Sequence, residues 1–149
     1  FINMEGFIPI FDKEGCRIVH TSDITVNGEG LDLSLQQLYT LLGVNIVEAL
    51  ALSPDHRLIM DEEGLLKAYD FSFKVKVTTQ YADPDTRAKC GLPPLPPSIN
   101  LVGSICIVQI DEEGYWQGFK TYADAFNYCI HCIEVNDGSS DLIPNLLSQ

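Results

Sequence analysis

Runs of apolar residues along this chain are interrupted three times by the polar motif Asp-x-Glu-Gly and then resume. The copies begin at Asp12, Asp61 and Asp111, at nearly equal spacing. Aspartate first and glycine fourth are typical of a type I turn, and glycine readily adopts the left-handed conformation of a bulged hairpin. The motifs therefore predict three β-hairpins whose acidic residues are exposed to water. The predicted strand pairs are 8–11 with 16–19, 57–60 with 65–66, and 105–108 with 115–116.

Two further segments have the residue spacing of helices that pack against a sheet. The first spans 32–43, with Asp32 or Ser34 as its cap and Gly43 as its stop. Its predicted buried face consists of Leu35, Leu38, Tyr39 and Leu42. The second helix begins at the cap Thr121. Its predicted inward side chains are Tyr122, Phe126, Ile130 and Ile133.

The remaining patterns predict strands, turns and one long irregular segment. Residues 71–78 alternate between apolar and polar, as in a strand with one wet face, and Leu101–Ile110 is predicted to be a central strand. A turn is expected at 53–56, irregular chain at 81–100 and loop at 136–141. We therefore predict an α+β fold, mainly an antiparallel hairpin-built sheet with two helices packed against it. Residues 1–142 would form a single domain, and 143–149 a C-terminal tail.

Charge narrows the classes of partner. The chain has 21 acidic and 9 basic residues and a net charge of −12. A field of this sign disfavours direct binding to nucleic acid and to anionic membranes, and it favours a basic protein partner or a cation. No apolar run has the length of a membrane helix. The candidate docking carboxylates are Asp61, Glu62, Glu63, Asp111, Glu112 and Glu113, with plain solvated turns as the alternative.

No residue pattern indicates a metal, a cofactor or a catalytic site. Cys129 and Cys132 have Cys-x-x-Cys spacing, but a zinc site needs a second ligand pair and a redox dithiol prefers a helix N-terminus. Five cysteines, an odd number, favour a reducing compartment. A nucleophile could in principle be Cys90 or Ser104, but no catalytic motif surrounds either. The histidines that could serve as its base are His20, His56 and His131. We therefore expect a protein without enzymatic activity, with a thiol or histidine enzyme as an alternative.

A small-molecule site is a further alternative. Aromatic side chains could stack on a base, and basic side chains could contact phosphate, in an oligomer that binds a nucleotide-like molecule. The candidate residues are Tyr81, Arg87, Lys89 and Trp116. Because aromatic residues are more often part of a core, Trp116 is also expected to pack on the second helix. Whether the chain forms a homo-oligomer is left open.

The chain resembles a family of small domains of uncharacterised function found in phages, plasmids and other mobile elements. The resemblance covers about residues 33–113. The matching parts are, in order, the helix ending at Gly43, the segment 44–52, the motif 61–64, a proline-containing loop, the stretch from Asn100 and the motif 111–114. It implies an accessory protein in the cytoplasm of a host cell, and it provides no catalytic residues to carry over to this chain. Small acidic proteins in that setting often block a host factor, so the predicted function is a binding protein that docks on and inhibits a host defence protein. A DNA mimic is another alternative.

Overall fold

The computed structural model of the chain describes residues 5–24, 33–44, 46–64 and 69–137. Within these ranges the chain forms strands and helices in a mixed order that confirms the predicted α+β class. The strands are β1 (Phe7–Asp12), β2 (Gly15–His20), β3 (Val47–Ser53), β4 (His56–Asp61), β5 (Ser72–Val77), β6 (Ile99–Val102), β7 (Ile105–Ile110), β8 (Trp116–Gln117) and β9 (Ile133–Asp137). The helices are α1 (Leu33–Leu42), α2 (Pro84–Lys89) and α3 (Tyr122–His131).

The strands form two sheets. The large sheet has the order β2-β1-β7-β4-β3, with β8 paired to the end of β7, and the small sheet has the order β6-β5-β9. Every strand pair within them is antiparallel. The predicted antiparallel, hairpin-built architecture is therefore correct.

The large sheet is buried on both faces because its central strands are apolar on both. Along β7, Cys106 and Val108 join a cluster with Leu38 and Leu42 of α1. Ile105 and Ile107 point to the opposite face, into a second cluster. That cluster also holds the buried side chains of the small sheet and of α3. Successive strand residues point to opposite faces, so these clusters define three layers: α1, the large sheet, and the small sheet with α3.

Two of the three acidic motifs form the predicted hairpin turns. Gly15, between β1 and β2, has φ 122°, and Gly114, between β7 and β8, has φ 86°. For the second motif the expectation of a positive φ is wrong, because Gly64 is not left-handed. Glycine is required there by a close approach: a Cβ would lie 2.9 Å from the carbonyl oxygen of Val102. The predicted partner strand 65–66 lies outside the described residues.

The predicted strand from Leu101 to Ile110 is two strands. Gly103 has φ 87°, and the break there separates β6, at the edge of the small sheet, from β7, at the centre of the large one. The alternation predicted for 71–78 is confirmed, since Val75 of β5 is buried while Lys74 and Lys76 are exposed. The turn predicted at 53–56 is also confirmed, between β3 and β4.

Two elements were not predicted. Helix α2 lies in the segment expected to be irregular, and it begins where Asp83 accepts a hydrogen bond from the backbone N–H of Thr86. Strand β9 includes Asn136 and Asp137, which were expected to be loop. Helix α1 is confirmed, ending before Gly43 with φ 69°. The proposed cap Asp32, residues 138–142 and the tail 143–149 lie outside the described residues. None of the helices in the described ranges is long and apolar enough to cross a bilayer.

Candidate functional site

Helix α3 presents different side chains to the core and to solvent. It begins at Thr121, whose hydroxyl accepts a hydrogen bond from the backbone N–H of Asp124 (3.0 Å). Ala125, Tyr128 and Cys129 are buried against the sheets. The Tyr128 ring stacks on the imidazole of His56, with 4.1 Å between ring centroids and 22° between planes. The inner face of α3 is therefore held against the sheets by small side chains and by an aromatic stack.

Three large apolar side chains of α3 are exposed instead. Tyr122, Phe126 and Ile130 expose 54%, 47% and 40% of their surface. Their spacing of four residues places them on one side of the helix, which we call the α3 outer face. The rings of Tyr122 and Phe126 stack at 6.4 Å with 13° between planes, and Phe7 contacts Tyr122 edge-on at 6.2 Å. These contacts order the aromatic part of the face without covering it.

This arrangement corrects the predicted orientation of the second helix. Tyr122, Phe126 and Ile130 were expected to face inward, and they face solvent. Ile133 is buried as expected, but it belongs to β9 rather than to the helix. The error has a physical cause: α3 is apolar on two sides, so spacing alone did not decide which side meets the sheet. The spacing of residues 125, 128, 129 and 132 is equally typical of a buried helix face.

The outer face is poor in charge compared with the rest of the chain. Its exposed neighbours on α3 include Ala123 and Asn127, and Asp124 is the one carboxylate of the helix. Protein interfaces have this character, with aromatic side chains enriched and charged ones depleted at the centre. On a chain of net charge −12, an exposed apolar helix face is the feature most unlike an ordinary solvated surface.

The predicted docking carboxylates do not all reach solvent. Asp61 is only 5% exposed and accepts hydrogen bonds from the backbone N–H of Glu63 (2.9 Å) and the hydroxyl of Tyr69 (2.7 Å). Its expected role as an exposed docking residue is therefore wrong. Asp111 likewise accepts from the backbone N–H groups of Glu113 and Tyr115. In both motifs the aspartate stabilises its own turn.

The same six carboxylates also fail to form one surface. In the β4–β7 pair, His56 lies opposite Gln109 and Met60 opposite Ile105. Residues 61–63 therefore lie at one end of the large sheet and residues 111–113 at the other. Glu62, Glu112 and Glu113 are exposed and Glu63 and Asp111 partly so, but they are divided between these two ends.

Arg87, predicted to bind phosphate, is part of the core. Its side chain is 1% exposed. Its guanidinium donates to the carbonyl oxygens of Ala51 (2.8 Å), Tyr81 (3.1 Å) and Pro93 (2.6 Å), with a longer contact to Leu52 (3.4 Å). These bonds join α2 and the proline-rich segment to the end of β3. The expected role of Arg87 as an accessible phosphate ligand is therefore wrong.

The other predicted ligand residues are not brought together. Lys89 is exposed at the end of α2, and Tyr81 packs against the cluster between the two sheets. Trp116 packs against the cluster that contains Leu38 and Leu42 of α1, on the opposite face of the large sheet. The expectation that Trp116 packs on the second helix is therefore wrong, and the four residues do not form one site.

A buried serine–histidine pair was not recognised from the sequence. The Ser53 hydroxyl lies 2.8 Å from Nδ1 of His56, and Nε2 of His56 lies 3.4 Å from the Gln109 amide. Burial lowers the pKa of His56 from its ordinary value of 6.5 to about 4. Ser53 is 6% exposed and also accepts from the backbone N–H of Asp55. Both residues flank the turn between β3 and β4, and the hydrogen bonds of the Ser53 hydroxyl stabilise that turn.

The remaining chemical candidates are dispersed. Cys90 is exposed after α2, and His20 lies 2.8 Å from the hydroxyl of Ser22, its neighbour in the sequence, rather than beside Cys90 or Ser104. His131 is exposed at the end of α3, and Ser104 is partly buried between β6 and β7. Over the ranges that the structure describes, no cluster of His, Cys, Asp or Glu has the geometry to hold a metal ion.

Comparison with protein-family models found no match, and comparisons with curated proteins and with solved structures found no significant similarity. The resemblance to mobile-element domains therefore stays a prediction. The functional proposal therefore rests on the geometry of the chain itself.

Proposed function

We propose that this chain is a protein-binding module that docks on a basic partner protein through the α3 outer face. One observation carries the proposal: Tyr122, Phe126 and Ile130 form an exposed apolar strip on an otherwise well-packed helix. Removing such a strip from water is favourable by about 25 cal/mol for each Å² of apolar surface. Tyrosine and other large aromatic side chains are also frequent at the energetic centres of interfaces.

The charge of the chain defines the chemistry of the partner. A partner with an apolar pocket rimmed by lysine and arginine would match both the outer face and the surrounding field of a chain with net charge −12. Opposite charges would speed association, and the effect would weaken as salt is added. A second copy of this chain fits less well, because two surfaces of the same strong charge repel one another.

The finer part of the proposal is motivated by the resemblance alone. On that basis the partner would be a host defence protein, docking would inhibit it, and both would meet in the cytoplasm of the host cell. The alternative of a nucleotide-binding oligomer loses the phosphate contact of Arg87, whose guanidinium is committed to backbone carbonyls. The alternative of a DNA mimic needs carboxylates along one face, whereas the acidic residues at 61–63 and at 111–113 lie at opposite ends of the large sheet.

Site-specific cross-linking tests the proposal. A photoreactive benzoylphenylalanine replaces Phe126, and in a control protein it replaces Ile46, an exposed apolar residue outside α3. Each protein is irradiated in host-cell extract, at low salt and at high salt. We expect position 126, but not position 46, to cross-link a basic protein, with less product at high salt.

A matched pair of variants completes the test. Binding of the captured protein to Phe126→Ser and to Ile46→Ser is measured with purified components. We expect Phe126→Ser to weaken binding by about 30-fold, the effect of losing about 2 kcal/mol at an interface centre, and Ile46→Ser to bind as wild type. Equal loss in both variants, or cross-linking of position 126 only to a second copy of the chain, contradicts the proposal.

A further inference from the structure

A gap opens in the small sheet where β5 loses one of its two neighbours. The β5–β6 ladder ends at the pair Val75 and Ile99, whereas β5 continues along β9 to the pair Val77 and Ile133. Continuing the first register would place Pro97 opposite Val77. Proline has no N–H to donate to a ladder, so the chain does not pair with β5 there. The end of β5 is therefore left without a strand on that side.

The gap is a cleft of about 290 Å³, which we call the β5 cleft. Its lining comes from the end of β5, from Ala82 before α2, from Leu95 and Pro96, and from Ile99 at the start of β6. Lys76 is the one charged residue among the described residues that line it. Pockets for small ligands are mostly apolar, hold a few polar groups and span roughly 300–1,000 Å³. The β5 cleft therefore has the character of a small-ligand site with one cation.

One buried side chain holds both walls of the β5 cleft in place. Arg87 donates to the carbonyl oxygen of Tyr81 (3.1 Å), which directly precedes Ala82, and to that of Pro93 (2.6 Å), which begins the proline run. Proline fixes its own φ and restricts the residue before it to extended conformations, so the run from Pro93 to Pro97 has few alternative shapes. A cleft whose walls are already ordered loses less conformational entropy when a ligand binds.

The lysines beside the cleft have no acidic partner. Lys74 and Lys76 are exposed on the outer face of β5, and neither forms an ion pair with another described residue. Glu134 lies opposite Lys76 on β9, but its carboxylate accepts a hydrogen bond from the Asn136 amide (3.0 Å). Glu134 lines a neighbouring polar cleft with both lysines and does not line the β5 cleft. On a chain of net charge −12, the β5 cleft is therefore a place where an anion meets a lysine without a competing carboxylate.

We propose that the β5 cleft binds a small organic anion, whose apolar ring or chain lies against Val77 and Leu95 and whose carboxylate accepts hydrogen bonds from Lys76. An inorganic anion would leave the apolar walls in water, and a neutral hydrocarbon would leave the lysine unpaired. An ammonium donor also bonds more strongly to a charged oxygen than to a neutral one. No residue of the α3 outer face lines this cleft, so the inference does not depend on the proposed function.

A nuclear magnetic resonance titration of the full, nitrogen-labelled chain tests the site. The probe is naphthoate, an aromatic carboxylate, and the control probe is naphthamide, which has the same rings without the charge. We expect naphthoate to shift the backbone amide signals of Lys76, Val77, Ala82 and Ile99, and not those of the α3 outer face. Naphthamide should bind about 10-fold more weakly, because it cannot form the charge-assisted hydrogen bond.

A matched pair of lysine variants tests the cation. Lys76→Gln and Lys120→Gln each remove one positive charge from an exposed side chain, and Lys120 lines neither of the two clefts beside β5. We expect Lys76→Gln to raise the Kd for naphthoate about 10-fold. Lys120→Gln should change it less than about 2-fold, since distant exposed charges are screened by salt. Equal losses in the two variants would overturn the inference.

A matched pair of alanine variants tests the cleft itself. Ala82→Phe places a ring in the cleft, whereas Ala88→Phe places one on the exposed side of α2, outside it. We expect Ala82→Phe to abolish the naphthoate shifts and Ala88→Phe to bind as wild type, with well-dispersed spectra showing that both are folded. Equal affinity for the two probes, shifts confined to residues outside the cleft, or unchanged spectra at the solubility limit of naphthoate would each overturn the inference. The lysine pair decides the matter if Ala82→Phe does not fold.

Discussion

Helices α1 and α3 both cover the large sheet, but among the described side chains only α3 leaves large apolar residues exposed. Leu38 and Leu42 of α1 are 0% and 5% exposed, and Thr40 between them faces solvent. On α3 the buried positions include Ala125, while the larger Phe126 is 47% exposed. Large side chains therefore lie on both sides of α3, since Tyr128 is buried and Phe126 is exposed, and stability of the monomer alone does not explain the exposed one.

The difference between the two helices distinguishes apolar residues that are buried for stability from apolar residues that stay exposed. The described apolar side chains of α1 are buried or partly buried, so stability of the fold accounts for them. In α3, the inner face satisfies the fold with Ala125, Tyr128 and Cys129. The outer face adds apolar surface that the folded monomer does not bury, and this surface is the basis of the proposed docking. Substitutions in α1 and on each side of α3 test whether the buried side chains serve stability and the exposed ones do not.

The largest expected effect is on α1. Leu38→Ala removes a fully buried side chain from the cluster that joins α1 to the large sheet. We expect the free energy of unfolding to fall by about 3 kcal/mol, the usual result of leaving a cavity in a packed core. Chemical denaturation followed by circular dichroism measures it. A loss below about 1 kcal/mol would show that α1 is not held as the structure describes.

The pattern in α1 explains how much of the fold was predictable. Leu38 and Leu42 lie on one stripe and Gly43 ends it, so periodicity sufficed. It did not suffice for Leu101–Ile110, where the positive φ of Gly103 divides one apolar run between two sheets. A break of this kind depends on tertiary partners, and a run of apolar residues carries no record of them.

The candidate site was less predictable than the fold. Tyr122 and Phe126 were recognised as apolar helix residues but assigned to the wrong side, since α3 has two apolar sides. Arg87 looked like a free cation because its carbonyl partners come from β3 and the proline-rich segment, which only the fold brings together. Contacts between distant segments, such as those of the Arg87 guanidinium, leave no motif in the sequence.

The inner face of α3 should make stability depend on pH. The folded chain holds His56 with a pKa of about 4, below its ordinary value of 6.5. Between these values the unfolded chain binds more protons, so the free energy of unfolding is highest above about pH 6.5 and decreases as pH falls toward 4. The expected loss is about 3 kcal/mol, from 1.36 kcal/mol for each pKa unit.

Denaturation at several pH values tests this dependence. Carboxylates also titrate in part of this range, so the comparison is between wild type and His56→Gln, with His20→Gln as the control for a histidine outside the Tyr128 stack. We expect a flatter profile in His56→Gln and an unchanged profile in His20→Gln. Identical slopes in all three proteins would show that the His56 imidazole does not make stability depend on pH.

Two alanines of α3 compare its sides directly. Ala125 is fully buried against the sheets and Ala123 is exposed. We expect Ala125→Leu to cost about 2 kcal/mol, because extra methylene groups do not fit a packed core. Ala123→Leu should change the free energy of unfolding by less than about 0.5 kcal/mol. Equal costs would mean that α3 lies in a different rotation about its axis.

The smallest expected effect is on the outer face. Phe126→Ser removes a side chain that is 47% exposed and stacks on Tyr122. The variant loses the ring stacking and the partial burial of one side chain, and we expect the free energy of unfolding to fall by about 1 kcal/mol, measured by denaturation. A loss as large as that of Leu38→Ala would place Phe126 in the core and leave α3 without a surface for a partner. A loss of about this size, together with the weakened binding proposed above, would show that this residue contributes more to docking than to folding.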